Sequence, residues 1–274
     1  QKEIEFLCEL ARPDYGYITN FGKAHLEGFG GVEGVIAGKS EMYHYLSKNE
    51  KLVFINLEDP IQIEKSGSLK LYTFGLNKLN ADINITNIKA NPFVEVTYDA
   101  TVIKSNLIGL YNANNINAAI CIGTYFEVEN GDIKEAVQTY VPENNRSQLV
   151  AKGTNQIILD AYNANPSSMA VAIENFLQIE QSNKVMILGD MFELGQDSHN
   201  EHKAIVKSLV NRKEVVCYFV GAEFYANKIE QDNFHFFDSF ENFSKSLLKD
   251  TFENNYILIK GSRGMALERS LDFI

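Results

Sequence analysis

At 274 residues the chain is long enough for a sizeable core and for two domains, and its 45% apolar and 22% charged content is that of an ordinary globular protein. The net charge of −11 argues against a general nucleic-acid or anionic-membrane binder. No apolar run approaches bilayer-spanning length, so no membrane insertion is expected, and no signal peptide is visible. Cys8, Cys121 and Cys217 lie far apart without CxxC spacing, which reads as buried free thiols in a reducing cytoplasm.

The chain enters at Gln1 directly into a helical pattern (Ile4, Leu7, Leu10, Ala11), as part of a longer protein would. An apolar strand is predicted over 15–21, ending in the polar, glycine-rich run Gly22-Lys-Ala-His25-Leu-Glu-Gly-Phe-Gly, and a helix over 32–46. Val32, Val35, Ile36, Tyr43 and Leu46 form one stripe of that helix, and Lys39 falls within it. A lysine on a buried face needs a partner, a shifted pKa or a chemical modification. Strands are then predicted over 52–57, 71–74, 83–88, 93–98 and 101–108, and a helix over 114–126. The polar run Pro142-Glu-Asn-Asn-Arg146 is the candidate boundary. Beyond it strands (156–161, 184–189, 215–220, 234–237, 256–259) alternate with helices, one of them 166–178 with Asn165 as N-cap and Pro166 at its first position. Such alternation means βαβ units, a mostly parallel sheet and ligands at the carboxyl ends of strands. The polar clusters Asp160-Ala-Tyr-Asn-Ala-Asn-Pro, Gly189-Asp-Met-Phe-Glu-Leu-Gly and Lys260-Gly-Ser-Arg-Gly all sit at such ends.

Two motifs mislead. Gly38-Lys39-Ser40 looks like the tail of a phosphate-binding loop, but GxxxxGK[ST] needs glycine where Glu33 stands, and the preceding segment is helical. Gly28, Gly30, Gly31 and Gly34 lack dinucleotide-fingerprint spacing and fit a loop and helix start. His25 alone is unremarkable, but Lys39 lies one helix on. An ammonium cannot share a metal with it, whereas a lysine carbamate ends in two anionic oxygens suited to a hard cation such as Mg²⁺. A simple lysine–carboxylate pair is the plainer alternative. Gly109-Leu-Tyr-Asn112-Ala-Asn-Asn115-Ile-Asn-Ala-Ala119 opens a helix, where asparagines either cap it or read a base or phosphate. His199 and His202 have no HExxH-type frame and read as ordinary helix residues.

These segments together resemble the Mur ligases, and within them the branch that joins D-alanyl-D-alanine to UDP-N-acetylmuramoyl-tripeptide. Ala11-Arg-Pro-Asp and Ile18 to Gly30 are similar to the end of the family's central ATPase domain, and Gly109–Ala119 to its GxHNxxNxxAA motif. Arg146-Ser with Asp160-Ala-Tyr-Asn-Ala-Asn-Pro, Leu188-Gly-Asp-Met-Phe-Glu-Leu-Gly and Lys260-Gly-Ser-Arg-Gly-Met resemble its C-terminal signatures. The most specific is Asp-Ala-Tyr-Asn-Ala-Asn-Pro; the ligases that add alanine or a diamino acid carry histidine-containing versions, and the diamino-acid enzyme's Asp-Asn-Pro-Arg motif is missing.

The resemblance implies an α/β fold: an incomplete P-loop-type central ATPase domain over 1–144, then a Rossmann-like domain over 145–274. It implies an ATP-dependent, ADP-forming amide ligase of peptidoglycan precursor synthesis, cytoplasmic and monomeric, using ATP and Mg²⁺. His25 and Lys39, as its carbamate, would hold the metal. Asn112 and Asn115 would contact the adenine side of ATP, Arg146 the phosphates and Asp160 the ribose, with Tyr162 and Asn163 lining the cleft. Asn165, Lys260, Ser262 and Arg263 would take the incoming dipeptide, the last three through its carboxylate. Tyr111 stands where the family usually has histidine, so an imidazole role there is lost. The family's P-loop, a metal-binding glutamate and its UDP-binding domain are expected upstream of Gln1, and the chain alone is expected to be inactive. The rivals are a folylpolyglutamate-type or other related ligase and a non-catalytic nucleotide-binding module.

Overall fold

The computed structural model describes residues 2–22, 26–248 and 252–274. The chain divides into two compact units, Gln1–Val141 and Pro142–Ile274.

In the first unit the chain runs α1 (Glu3–Ala11), β1 (Tyr15–Tyr17), α2 (Leu26–Phe29), α3 (Val32–Lys48), β2 (Leu52–Asn56), α4 (Pro60–Ser66), β3 (Lys70–Leu76), β4 (Ile83–Ala90), β5 (Phe93–Tyr98), β6 (Thr101–Ile108), α5 (Ala113–Tyr125) and α6 (Asn130–Thr139). The six strands form one sheet in chain order. β1 to β4 are mutually parallel, and β4, β5 and β6 are antiparallel. The change follows from connection length. A two-residue turn joins β5 to β6, with Asp99 and Ala100 both at positive φ, as a hairpin whose twist matches its strands requires. β2 is buried on both faces, as a parallel strand covered by helices should be. Val53 and Ile55 pack with Tyr43 and Leu46 of α3, while Phe54 packs with Ile116, Ile120 and Cys121 of α5.

The second unit runs β7 (Gln148–Lys152), β8 (Asn155–Asp160), α7 (Pro166–Gln178), β9 (Lys184–Gly189), α8 (Ser198–Leu209), β10 (Val215–Val220), α9 (Ala222–Ala226), β11 (Phe234–Phe237), α10 (Phe240–Leu247) and β12 (Tyr256–Lys260). Its sheet has the order β11-β10-β9-β12-β8-β7, parallel except for β7. Every residue of β9 and of β12 is buried. β12 enters between β9 and β8, placing Lys260 beside Asp160 on one side and Leu188 on the other.

The α/β class and the strand–helix alternation match the sequence reading. Four elements were missing from it: α2, α4, α6 and the antiparallel β7. The strand expected over 15–21 is shorter, although Ile18 and Phe21 beyond it stay buried. Cys8, Cys121 and Cys217 are free and buried, and burial pushes the Cys121 and Cys217 thiols up to about 12, which suits packing rather than nucleophilic use. No helix among the described residues is long and apolar enough to cross a membrane.

Candidate functional site

At the carboxyl edge of the first sheet, Lys39 is half-buried on α3, at the border of the apolar stripe and not at its centre; Val32, assigned to the same stripe, is exposed. The Lys39 Nζ donates to the carbonyl of Asn20 at 2.7 Å, one loop beyond β1. Burial lowers its pKa, because desolvation disfavours the ammonium. His25 lies outside the described residues. Below this loop Gln62 of α4, 0% exposed, ties two strands together. Its Nε2 donates to Ile18 O at 2.9 Å, and its Oε1 accepts from Asn56 N–H at 2.9 Å. Asp59 caps α4 by accepting from the N–H groups of Ile61 and Gln62. Tyr17 and Tyr43 point hydroxyls that have no hydrogen-bond partner among the described residues into the same neighbourhood. Burial, then the Asp59 charge, pushes Tyr17 up to about 12.

Asn112 is buried at the entrance to α5, but its amide does not cap the helix. Its Nδ2 donates back to Ile108 O at 2.8 Å, and its Oδ1 accepts from Asn115 Nδ2 at 3.1 Å. Asn112 therefore shapes the turn and orients Asn115, which is exposed. Gly109 makes that turn possible: it sits at φ 86°, where a Cβ would also meet the Tyr111 ring at 2.5 Å.

In the second unit three strand-end loops converge. Lys260 Nζ lies 2.5 Å from Asp160 Oδ2 and also donates to Asn163 O at 3.3 Å. Asp160 Oδ1 accepts from the Ser147 N–H at 3.0 Å. Arg146 and Tyr162 are both exposed and stacked, the guanidinium carbon 3.7 Å from the ring centroid. Asn163 is exposed and accepts from the Ala164 N–H; Asn165 caps α7 in a reciprocal capping box with Ser168.

The three residues expected at the dipeptide carboxylate differ in exposure and partners. Lys260 is 2% exposed and its charge is already matched by Asp160. Ser262 is buried too, donating to Ala164 O at 3.3 Å and accepting from Phe192 N–H at 2.8 Å. Both hold loops in place. Of those three only Arg263 is open, its side chain 61% exposed and 3.3 Å from Glu268.

The residues missed from sequence are those that fix the loops. Asp190 is buried at the end of β9 and accepts from the N–H groups of Glu223 and Phe224 at 3.0 and 2.9 Å. Desolvation raises its pKa against those two bonds. Gly221, at φ 126°, leaves room for that carboxylate: a Cβ there would sit 2.3 Å from it. The signal was the Gly-Asp pair that follows the apolar run 185–188.

Known proteins match this chain over most of its length. The Mur ligase middle domain matches residues 1–123, and the Mur ligase glutamate ligase domain matches residues 145–263. The chain belongs to the Mur ligase family. A UDP-N-acetylmuramoyl-tripeptide–D-alanyl-D-alanine ligase of Bacillus subtilis is 28% identical over 97% of this chain and 60% of its own length. The chain thus spans about three fifths of that Mur ligase. The crystal structure of MurF from Acinetobacter baumannii superposes with a TM-score of 0.85 at 25% identity, covering 99% of this chain and 62% of the other. The MurF ligase of Thermotoga maritima, solved in complex with ADP, shares the fold at 24% identity and a TM-score of 0.82, over 99% of this chain and 64% of its own.

Proposed function

We propose that the complete protein is an ATP-dependent ligase that joins D-alanyl-D-alanine to UDP-N-acetylmuramoyl-tripeptide in the cytoplasm. In this reading residues 1–144 are the later part of the central ATP-binding domain and 145–274 the C-terminal Rossmann-like domain. The observation that carries it is the loop Asp160-Ala-Tyr-Asn-Ala-Asn-Pro, held at a strand end by Lys260 with Arg146 laid over Tyr162. Relatives that bear the name of this ligase support the same reading.

The reaction forms an amide through an acyl phosphate. The tripeptide carboxylate attacks the γ-phosphate and ADP departs. The dipeptide amine attacks the acyl carbon, and phosphate leaves the tetrahedral intermediate. Arg146 reaches the phosphates from its aromatic platform and offsets charge on the transferring group. Asp160, already oriented by Lys260 and Ser147, meets the ribose. Tyr162 and Asn163 line the nucleotide, and Asn115, set by Asn112, meets the adenine side. Arg263 takes the dipeptide carboxylate, and Asn165 keeps its adjacent loop in register by capping α7.

A half-buried amine with a lowered pKa fits carbamate formation, since only the neutral amine attacks CO2. A Mg²⁺ ion, when bound by His25 and that carbamate, would offset phosphate charge. The decisive assay measures phosphate release by the complete gene product. It should require ATP, UDP-N-acetylmuramoyl-tripeptide and D-alanyl-D-alanine together; release that ignores the dipeptide sinks the proposal.

A further inference from the structure

His202 lies on α8, 0% exposed, and faces the loop that follows β9. Its Nδ1 stands 2.7 Å from the carbonyl of Ser198, an acceptor, so Nδ1 carries the proton. Its Nε2 stands 2.9 Å from the N–H of Met191, a donor, so Nε2 is bare. The two partners dictate one neutral tautomer. The Phe224 ring, edge-on at 4.7 Å, fixes the plane. The Asp190 carboxylate is 3.7 Å from Nε2 and already occupied by two backbone N–H groups.

What His202 holds is the grip on Arg263. Phe192, next to Met191, donates its N–H to Ser262 Oγ, and the Ser262 N–H donates to Asp190 O at 3.1 Å. The Phe192 ring also covers Gly264 so closely that a Cβ there would come within 2.6 Å of it. Arg263 is flanked on both sides by residues that loop 190–192 holds. The imidazole buried in α8 is thus linked, through loop 190–192, to the residues on either side of Arg263.

We propose that His202 is a positioning residue whose bare Nε2 fixes Met191 and, through Phe192 and Ser262, sets Arg263 for the carboxylate of the incoming amine component. This rests on the reading above that Arg263 takes that carboxylate. Glutamine can place an oxygen where Nε2 stands, whereas phenylalanine fills the space without an acceptor. In the complete protein, His202→Phe should raise KM for D-alanyl-D-alanine about five- to tenfold, the loss of one buried acceptor, with KM for ATP and kcat within about twofold. His202→Gln should restore the dipeptide KM to within about twofold of wild type. An unchanged dipeptide KM in the phenylalanine variant, or equal rises in both KM values, overturns the proposal.

Two readouts need no ligation. Nitrogen-15 NMR of the wild-type chain should show His202 protonated at Nδ1; an Nε2–H tautomer overturns the proposal even if the phenylalanine variant does not fold. Amide exchange at Met191, Phe192 and Ser262 should quicken about tenfold in His202→Phe and stay near wild type in His202→Gln. Unchanged exchange in the phenylalanine variant overturns it too. A wild-type protein that ignores the dipeptide defeats the functional reading instead, and the tautomer and exchange measurements still decide this one.

Discussion

Lys39 shows what partial burial does to one amine. Its amine is drawn to Asn20 O, and desolvation lowers its pKa. A lysine whose folded-state pKa is lowered sheds its proton more readily folded than unfolded. Its burial therefore costs stability while charged, and that cost disappears as pH rises through the lowered value. The neutral amine should become more abundant in the same direction, and so should the carbamate if Lys39 has the proposed role. Lys39→Ala in the complete protein should lose about a hundredfold or more of its ligation rate, if the metal-holding carbamate contributes what a developing-charge contact usually does. Carbon-13 NMR under labelled CO2 should show a carbamate signal that grows with pH and is missing from the variant. Asn165 gives the contrasting case. Its side chain is consumed by the Ser168 N–H at the start of α7. Asn165→Ala should lower stability by about 1 kcal/mol in thermal unfolding and leave the dipeptide KM within about twofold. A large KM effect without loss of stability would reverse that assignment.

At the scale of elements, the alternation of strands and helices was legible because parallel strands buried on both faces are short apolar runs between amphipathic helices. β9, Lys-Val-Met-Ile-Leu-Gly, is such a run. The helices α4 and α6 were not legible by periodicity. α4 spans Pro60–Ser66, too short for a pattern to repeat, although Asp59-Pro60 was a readable start. α6 buries only Ile133, so it has no stripe to read. The site was legible as a set of strand ends, but not as a set of partners. Lys260 and Asp160 lie a hundred residues apart and meet because β12 is inserted beside β8, and nothing in either local pattern states that order. The pairing makes Lys260 a brace between β12 and β8. Lys260→Met should destabilise the second unit by about 3 kcal/mol, leaving a carboxylate short of its partner. Pairing it with Asp160→Asn should recover part of that loss in chemical denaturation, since the uncompensated charge is then gone.

For the molecule as a whole, each unit has its own sheet and its own apolar core. Residues 142–274 expressed alone should therefore unfold cooperatively by circular dichroism, with the exchange-protected amides in β9 and β12. A broad, non-cooperative transition would show that the second unit depends on the first. The chain's net charge of −11 gives it an overall field that does not draw anions in.

The position of β12 has a further consequence during synthesis. The strand that closes the middle of the second sheet is made last, after all its neighbours in β7 to β11. Until Tyr256–Lys260 has left the ribosome, β9 and β8 expose the edges that β12 will pair, and the β9 side and β8 side are two separate half-sheets. A nascent chain in that condition offers unpaired backbone to chaperones and to other copies of itself. A stop codon just before Tyr256 should thus abolish soluble expression of the second unit, whereas one placed after Ile274 should not. The second sheet can therefore close only after translation has passed Tyr256–Lys260.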